Sequence, residues 1–347
     1  MEPLEQRWQR HHPFLELDRA ALEQRLRAVF PGVRVLAAAP LAGGLRNTNY
    51  RVRLAGQPAR EVVVRLYTAD PAACRREAAL AARVRGAVPV PPVLHADPDA
   101  DPPLAVTAWV EGTRLDEVLR AGDPAAVEGA ACAAGAVLAR IHAVTFAGPG
   151  FLGPDLEVRE ALDLGGAGWA GAMEHFLGPG RAGAALGADL VGRLRRLVAA
   201  QAPRLAPLRG ARALVHADYK PWNLLVRPLG APSALGAPAS TPGGAAAAAG
   251  GWAVAAVLDW EFAFAGPPLV DVAIFLRHAA ELPPEYARGF LAGYAAGGGR
   301  LPADWPAETK LLDLLNLCSM LAQPGGGAAR ARDIRSLILA TVDAWAA

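Results

Sequence analysis

Residues 214–226 read Leu-Val-His-Ala-Asp-Tyr-Lys-Pro-Trp-Asn-Leu-Leu-Val, which places an acid, an ammonium and an amide, Asp218, Lys220 and Asn223, within six residues. The apolar runs on either side have strand character, and Pro221 bars both regular pairing and helix continuation between them. The segment therefore predicts strand, turn, strand, with Asp218 and Asn223 drawn together by the turn. A second acid, Asp259, ends another apolar run and is followed by Trp260 and Glu261. Asp218, Asn223 and Asp259 form a set of hard oxygens suited to Mg²⁺ and a phosphate. Moving a phosphoryl group needs a carboxylate to orient the acceptor hydroxyl, oxygen ligands for the metal, and a cation for the developing charge. Asp218 can be the first, Asn223 and Asp259 the second, and Lys220 the third.

The order His-x-Asp-x-Lys-Pro-x-Asn at 216–223, followed by Leu-Asp-Trp-Glu at 258–261, resembles the catalytic loop and metal segment of the protein-kinase-like superfamily. Its wording is closest to the aminoglycoside phosphotransferase and choline kinase branch. That branch often follows the metal aspartate with Trp-Glu, a few small residues, Gly-x-Pro and another aspartate; residues 259–271 here read Asp-Trp-Glu-Phe-Ala-Phe-Ala-Gly-Pro-Pro-Leu-Val-Asp. A lone His-x-Asp carries little information, since such pairs serve local turns. The whole constellation is far more specific. The resemblance implies an ATP- and Mg²⁺-dependent enzyme that phosphorylates a hydroxyl of a small molecule. Asp218 and Lys220 would be catalytic, Asn223 and Asp259 the metal ligands, and His216, Asp271 and Glu261 their support.

These residues need a scaffold. A chain of 347 residues suits two lobes sharing a cleft, and 53% hydrophobic residues against 20% charged supply a large core. In the first part, Asp18 caps an apolar-periodic helix over 19–30, and 33–38 reads as a strand. Gly43 and Gly44 follow; glycines at a strand turn let backbone amides approach phosphates, and equally suit a hairpin turn. Residues 61–67 form a strand carrying Arg65, and 74–84 a helix carrying Glu77. In the resemblance Arg65 binds nucleotide phosphates with Glu77 as its partner, and Trp109, Val110 and Glu111 are the hinge that meets the adenine.

The implied architecture is α+β: a small N-terminal nucleotide-binding lobe of mostly antiparallel sheet over 1–111, and a larger, mainly helical catalytic and substrate-binding lobe over 112–347. Helices are expected at 125–143, 272–278, 284–294, 308–322 and 331–346. His142 reads as a capping or packing residue. Residues 146–181 carry acids that could line an acceptor pocket, although solvated charges explain them as well. Residues 228–251 hold only Ala, Gly, Pro, Ser, Thr and two Leu, with no charge, and predict a disordered insertion between two strands.

Other functions fit less well. A net charge of +2 is too mild to imply nucleic-acid partners. No uncharged apolar run reaches the length of a membrane span, and the first twelve residues lack a signal-peptide pattern, so a cytoplasmic setting is expected. Cys74, Cys132 and Cys318 show no paired spacing for a disulfide framework or zinc site. Lys220-Pro221 matches the serine/threonine protein-kinase loop, but only eleven residues separate Asp259 from Asp271, with no Ala-Pro-Glu motif. A nucleotide-binding pseudokinase is disfavoured because every expected catalytic residue type is present. These patterns do not encode an oligomeric state.

Overall fold

The computed structural model describes residues 13–41, 46–56, 60–178, 181–230, 251–323 and 327–345. Helix α1 (Arg19–Leu26) starts where the Asp18 carboxylate accepts from the Ala21 amide. It stops earlier than periodicity predicts, because the amides of Val29 and Phe30 turn back onto the Leu26 carbonyl ahead of Pro31 and Gly32. Strands β1 (Val35–Pro40), β2 (Thr48–Leu54), β3 (Arg60–Leu66), β4 (Val93–Asp97) and β5 (Leu104–Ala108) form one antiparallel sheet in the order β1-β2-β3-β5-β4. Alternation decides its faces. Val62, Val64 and Leu66 of β3 join Tyr50 and Val52 in a core under Leu22 and Leu26. The intervening Val63 and Arg65 face a cleft. Helix α2 (Ala72–Val84) anchors Leu80 and Val84 in the main core and carries Glu77.

After β5 the chain changes sheets. Strand β6 (Thr113–Arg114) pairs with β10 (Leu224–Pro228), more than a hundred residues downstream. Gly112 makes this passage fit, since a Cβ there would stand 3.1 Å from the Leu225 Cβ and 3.2 Å from the Val226 carbonyl. Helices α3 (Leu115–Ala121) and α4 (Pro124–His142) follow. Among the described residues α4 is the one helix long and apolar enough to cross a membrane, yet 67% of that window is buried inside the protein. Its apolar surface is core, packed against a later helix, α9.

Two more small sheets build the larger lobe. Strands β7 (Gly150–Leu152), β8 (Val158–Ala161), β9 (Ala213–Val215) and β12 (Phe264–Gly266) are ordered β8-β7-β12-β9, while β10, β11 (Trp252–Val257) and β6 are ordered β11-β10-β6. The segment carrying Asp218 leaves β9 and enters β10; the segment carrying Asp259 leaves β11 and enters β12. Both cross between the same two sheets. The helical remainder is α5 (Ala167–Leu177), α6 (Arg181–Leu186), α7 (Ala188–Gln201), α8 (Leu269–Leu276), α9 (Pro284–Ala296), α10 (Trp305–Ala322) and α11 (Gly327–Ala344). Helices α4 and α9 touch at backbone distance: a Cβ on Gly293 would collide with the Cys132 carbonyl.

The expected hairpin around the low-complexity stretch is present, with β10 and β11 paired, past a register shift between Leu225 and Val226, out to Pro228 opposite Trp252. Residues 231–250 of that stretch lie outside the described residues.

Candidate active site

The loop after β9 is not a simple turn. Ala217 takes a left-handed φ of 63°, and Pro221–Asn223 form one turn of 3₁₀ helix before β10 begins. A non-glycine residue is rare in that conformation and needs fixing from outside. Asp271 supplies the fixing. Fully buried at the start of α8, it accepts from the His216 amide through Oδ2 and the Ala217 amide through Oδ1, both at 2.8 Å. Its Oδ2 also lies 3.0 Å from His142 Nε2, and His142 Nδ1 lies 2.9 Å from the Tyr294 hydroxyl. His142 therefore neither caps α4 nor simply packs; it ties α4 to the loop.

His216 is the second brace. Its Nε2 donates to the Leu258 carbonyl at 2.9 Å, and its Nδ1 accepts from the Asp218 amide at 3.2 Å. Those two partners require the neutral ring, and burial holds its pKa below the usual histidine value against the pull of nearby Asp271. His216 thus links the two loops that cross between the sheets.

Asp218 is held from both oxygens. Lys220 Nζ lies 2.8 Å from Oδ1, and Asn223 Nδ2 donates to Oδ2 at 2.7 Å and to the Asp218 carbonyl at 2.9 Å. With Nδ2 committed, Oδ1 is the only ligand atom the Asn223 amide offers. Asp259 also adopts a left-handed φ, 59°.

Across the cleft, Arg65 joins Asp259 in a short ion pair and meets Glu77 at 3.3 Å and Glu261 at 3.7 Å. Burial opposes the Arg65 charge, but Glu77 and Asp259 outweigh it and hold its pKa well above the usual arginine value. For Asp259 burial pushes up, but Arg65 together with Lys220 and His216 outweighs it, so its pKa lies below the ordinary carboxylate value. Burial wins at Glu77, whose pKa is pushed up to about 7 despite Arg65. Tyr67, two residues beyond Arg65, donates to Glu77 Oε2 at 3.0 Å.

Glu261 accepts from Asn47 Nδ2 at 2.8 Å and lies 3.8 Å from Arg46, so it joins the sheet lobe directly to the segment carrying Asp259. Trp109 and Val110 line the cleft, whereas the Glu111 side chain lies outside its wall. The Glu111 carboxylate accepts from the Trp109 indole at 2.7 Å, and Arg51 stacks on that ring at 3.9 Å. The Trp109 amide is already spent on the Glu61 carbonyl. Gly43 and Gly44 lie outside the described residues.

Sequence reasoning overlooked His142, Asn47 and Tyr67. Tyr67 had a signal, since strand alternation puts it on the face of Arg65. His142 had none, because its partners lie more than a hundred residues away.

A small sheet lobe and a larger helical lobe, closed over these crossing loops, define the two-lobed protein-kinase-like fold. Residues 37–235 and 247–308 match the model of the phosphotransferase enzyme family, well over half of the chain. The chain belongs to that family, the small-molecule kinases of this fold.

Solved structures agree on the architecture. A thermostable aminoglycoside phosphotransferase APH(4)-Ia superposes with a TM-score of 0.64 at 18% identity, covering 93% of this chain and 97% of that one. Macrolide 2'-phosphotransferase MphH from Brachybacterium faecium gives 0.59 at 19% identity, covering 92% and 98%. A putative fructosamine-3-kinase from Thermobifida fusca gives 0.57 at 19% identity, with the same coverage. A comparison with curated proteins gives no match.

Proposed function

We propose that the chain transfers the γ-phosphoryl group of ATP to a hydroxyl of a small molecule, with Mg²⁺ as cofactor. The observation that carries this is the meeting, in one cleft of about 2630 Å³, of Asp218 with its Lys220 and Asn223 partners and of the Arg65–Asp259 pair. Two related structures support the nucleotide: APH(4)-Ia complexes hold AMP-PNP or ADP together with hygromycin B.

We assign the nucleotide to the 1–111 lobe, with Arg65 on the phosphates, Glu77 holding Arg65, and Trp109 and Val110 at the base. The 112–347 lobe takes the acceptor. The metal assignment passes a test of donor chemistry. Among the described residues no three His, Cys, Asp or Glu side chains gather into a metal cage. A cation bound by Asn223 Oδ1 and Asp259 must complete its shell from phosphates and water, which is the habit of Mg²⁺. Bound there, Mg²⁺ supplies charge neutralisation across the phosphates.

Asp218 orients the acceptor hydroxyl and takes its proton as the oxygen attacks. Its carboxylate cannot swing, since one oxygen is held by Lys220 and the other by Asn223. Lys220 offsets negative charge building beside it. A peptide acceptor is disfavoured, because β12 and the start of α8 fill the segment between Asp259 and Asp271.

The test is ATP turnover with Mg²⁺ against a panel of hydroxylated metabolites and antibiotics, with Asp218→Asn alongside. Acceptor-stimulated turnover should fall by about a thousandfold or more in the variant, while nucleotide affinity stays within about twofold. Undiminished turnover in Asp218→Asn would refute the assignment.

A further inference from the structure

We infer that the acceptor is an alcohol on a largely apolar body bearing at most one positive charge, not a polyamine. This rests on the phosphotransferase reading and names the acceptor class for that same site.

In the larger lobe, the cleft wall includes Leu162, Leu164, Phe176, Val270, Leu312 and Leu315. They belong to, or pack on, the apolar cluster built from α5, α8 and α10. Ala217 packs on the same cluster. The apolar wall therefore begins one residue from the candidate base, and an acceptor hydroxyl presented to Asp218 brings its neighbouring atoms onto it.

Apart from Asp218 and Glu160, the polar groups set in this wall are neutral or cationic: Asn316, Ser319, Gln323 and His175, with Arg277 and Arg330. Nearby carboxylates are engaged. Asp313 is bound by Arg277 at 2.7 and 3.0 Å, Glu174 by Arg195 at 2.5 Å, and Asp163 accepts from the Gly165 amide at 2.9 Å. Of the acids that line the cleft, Glu77, Asp259 and Glu261 surround Arg65, and Glu117 meets Arg114 at 3.2 Å. Glu16 lies beside the sheet, which leaves Glu160, besides Asp218, on the acceptor side among the described residues.

Such a wall favours apolar contact area and gives no return for stripping water from several ammonium groups. Size permits a bulky guest. Ligand pockets usually run to roughly 300–1,000 Å³, and a cleft of about 2630 Å³ has room for a nucleotide and a large acceptor together.

The experiment is direct binding by calorimetry, with a non-hydrolysable ATP analogue present. One panel holds neutral, hydroxyl-bearing apolar compounds, namely steroid glycosides and polyhydroxylated macrocyclic lactones; the other holds the sugar polyamines neomycin and kanamycin. At least one neutral compound should bind about tenfold or more tighter than either polyamine. Ser319→Asp should narrow or invert that ratio, and Gln323→Glu, at an exposed position, brings the same charge to the wall if Ser319→Asp fails to fold. Equal or tighter polyamine binding overturns the inference, as does binding by neither panel or a ratio unmoved by the added acid. Turnover is read separately. Phosphoryl transfer to polyamines alone would sink this inference and spare the phosphotransferase reading; apolar binding without transfer to any acceptor would do the reverse.

Discussion

His142 and Asp271 stand 129 positions apart in the chain, yet Nε2 of the histidine lies 3.0 Å from Oδ2 of the aspartate. Through this contact α4 reaches the backbone of the Asp218 loop, because the same carboxylate accepts from the His216 and Ala217 amides. Asp271→Ala would strand the buried His216 amide and the part-buried Ala217 amide, and should cost about 3 kcal/mol of stability together with most turnover. His142→Ala leaves both amides satisfied and should cost roughly 1–3 kcal/mol, lowering kcat more than nucleotide affinity. Denaturant unfolding and nucleotide titration of the two variants test this. An Asp271→Ala protein as stable as the parent would show that the brace carries nothing.

Arg65 is the shared cation of three carboxylates, Glu77, Asp259 and Glu261, and its removal should strengthen the pH dependence of stability. Burial raises the Glu77 pKa from an ordinary 4.5 to about 7, and burial also raises that of Glu261. A carboxylate with a raised folded-state pKa binds more protons folded than unfolded. Stability contributed there falls as pH rises from the ordinary value through about 7 and then levels off. Without the guanidinium these carboxylates are pushed up further, and the fall extends to higher pH. Arg65→Ala should therefore be more destabilised at pH 8 than at pH 5, by about 3 kcal/mol or more at the higher value. Equal melting losses at both pH values would contradict this.

Gly293→Ala is a test of packing. Alanine favours the helix by about 1 kcal/mol over glycine, but its methyl group meets the Cys132 carbonyl of α4. Carbonyl and helix backbone cannot yield cheaply, so overpacking should prevail at a net cost of about 1–3 kcal/mol. Urea unfolding measures it, and a stabilised variant would disprove the close crossing.

Excising residues 231–250 should be harmless. The hairpin stays paired to Pro228 and Trp252, and a shorter connection lowers closure entropy by about 0.6 kcal/mol per halving of its length. Melting temperature should stay level or rise slightly and turnover should be unchanged; a loss of either would give the stretch a role.

Motif order made much of this site legible, because Asp218, Asn223 and Asp259 are local to two short segments whose residue types are dictated by the chemistry. The order of a strand cation and then a helix glutamate ahead of the catalytic loop likewise brought out Arg65 and Glu77. What stayed hidden is partnership across sequence distance. Periodicity reports that 213–215 and 224–228 are strands, but not that they join different sheets. Nothing local to Glu261 announces Asn47, 214 positions away. The acceptor wall was the least legible part, since Phe176, Val270 and Leu315 converge from three helices that each look like ordinary core.

The two loops that cross between the same pair of sheets have one more consequence. Since β9 is laced to β12 and β10 to β11, any shear between those sheets carries Asp218, Asn223 and Asp259 along together. Their mutual spacing is insulated from deformation; their spacing to Arg65, which rides on the other lobe, is not. On the proposed reading, drift in the sheet lobe retunes the grip on a nucleotide while Asp218, Asn223 and Asp259 keep their places, so affinity and chemistry can evolve on separate parts of one chain.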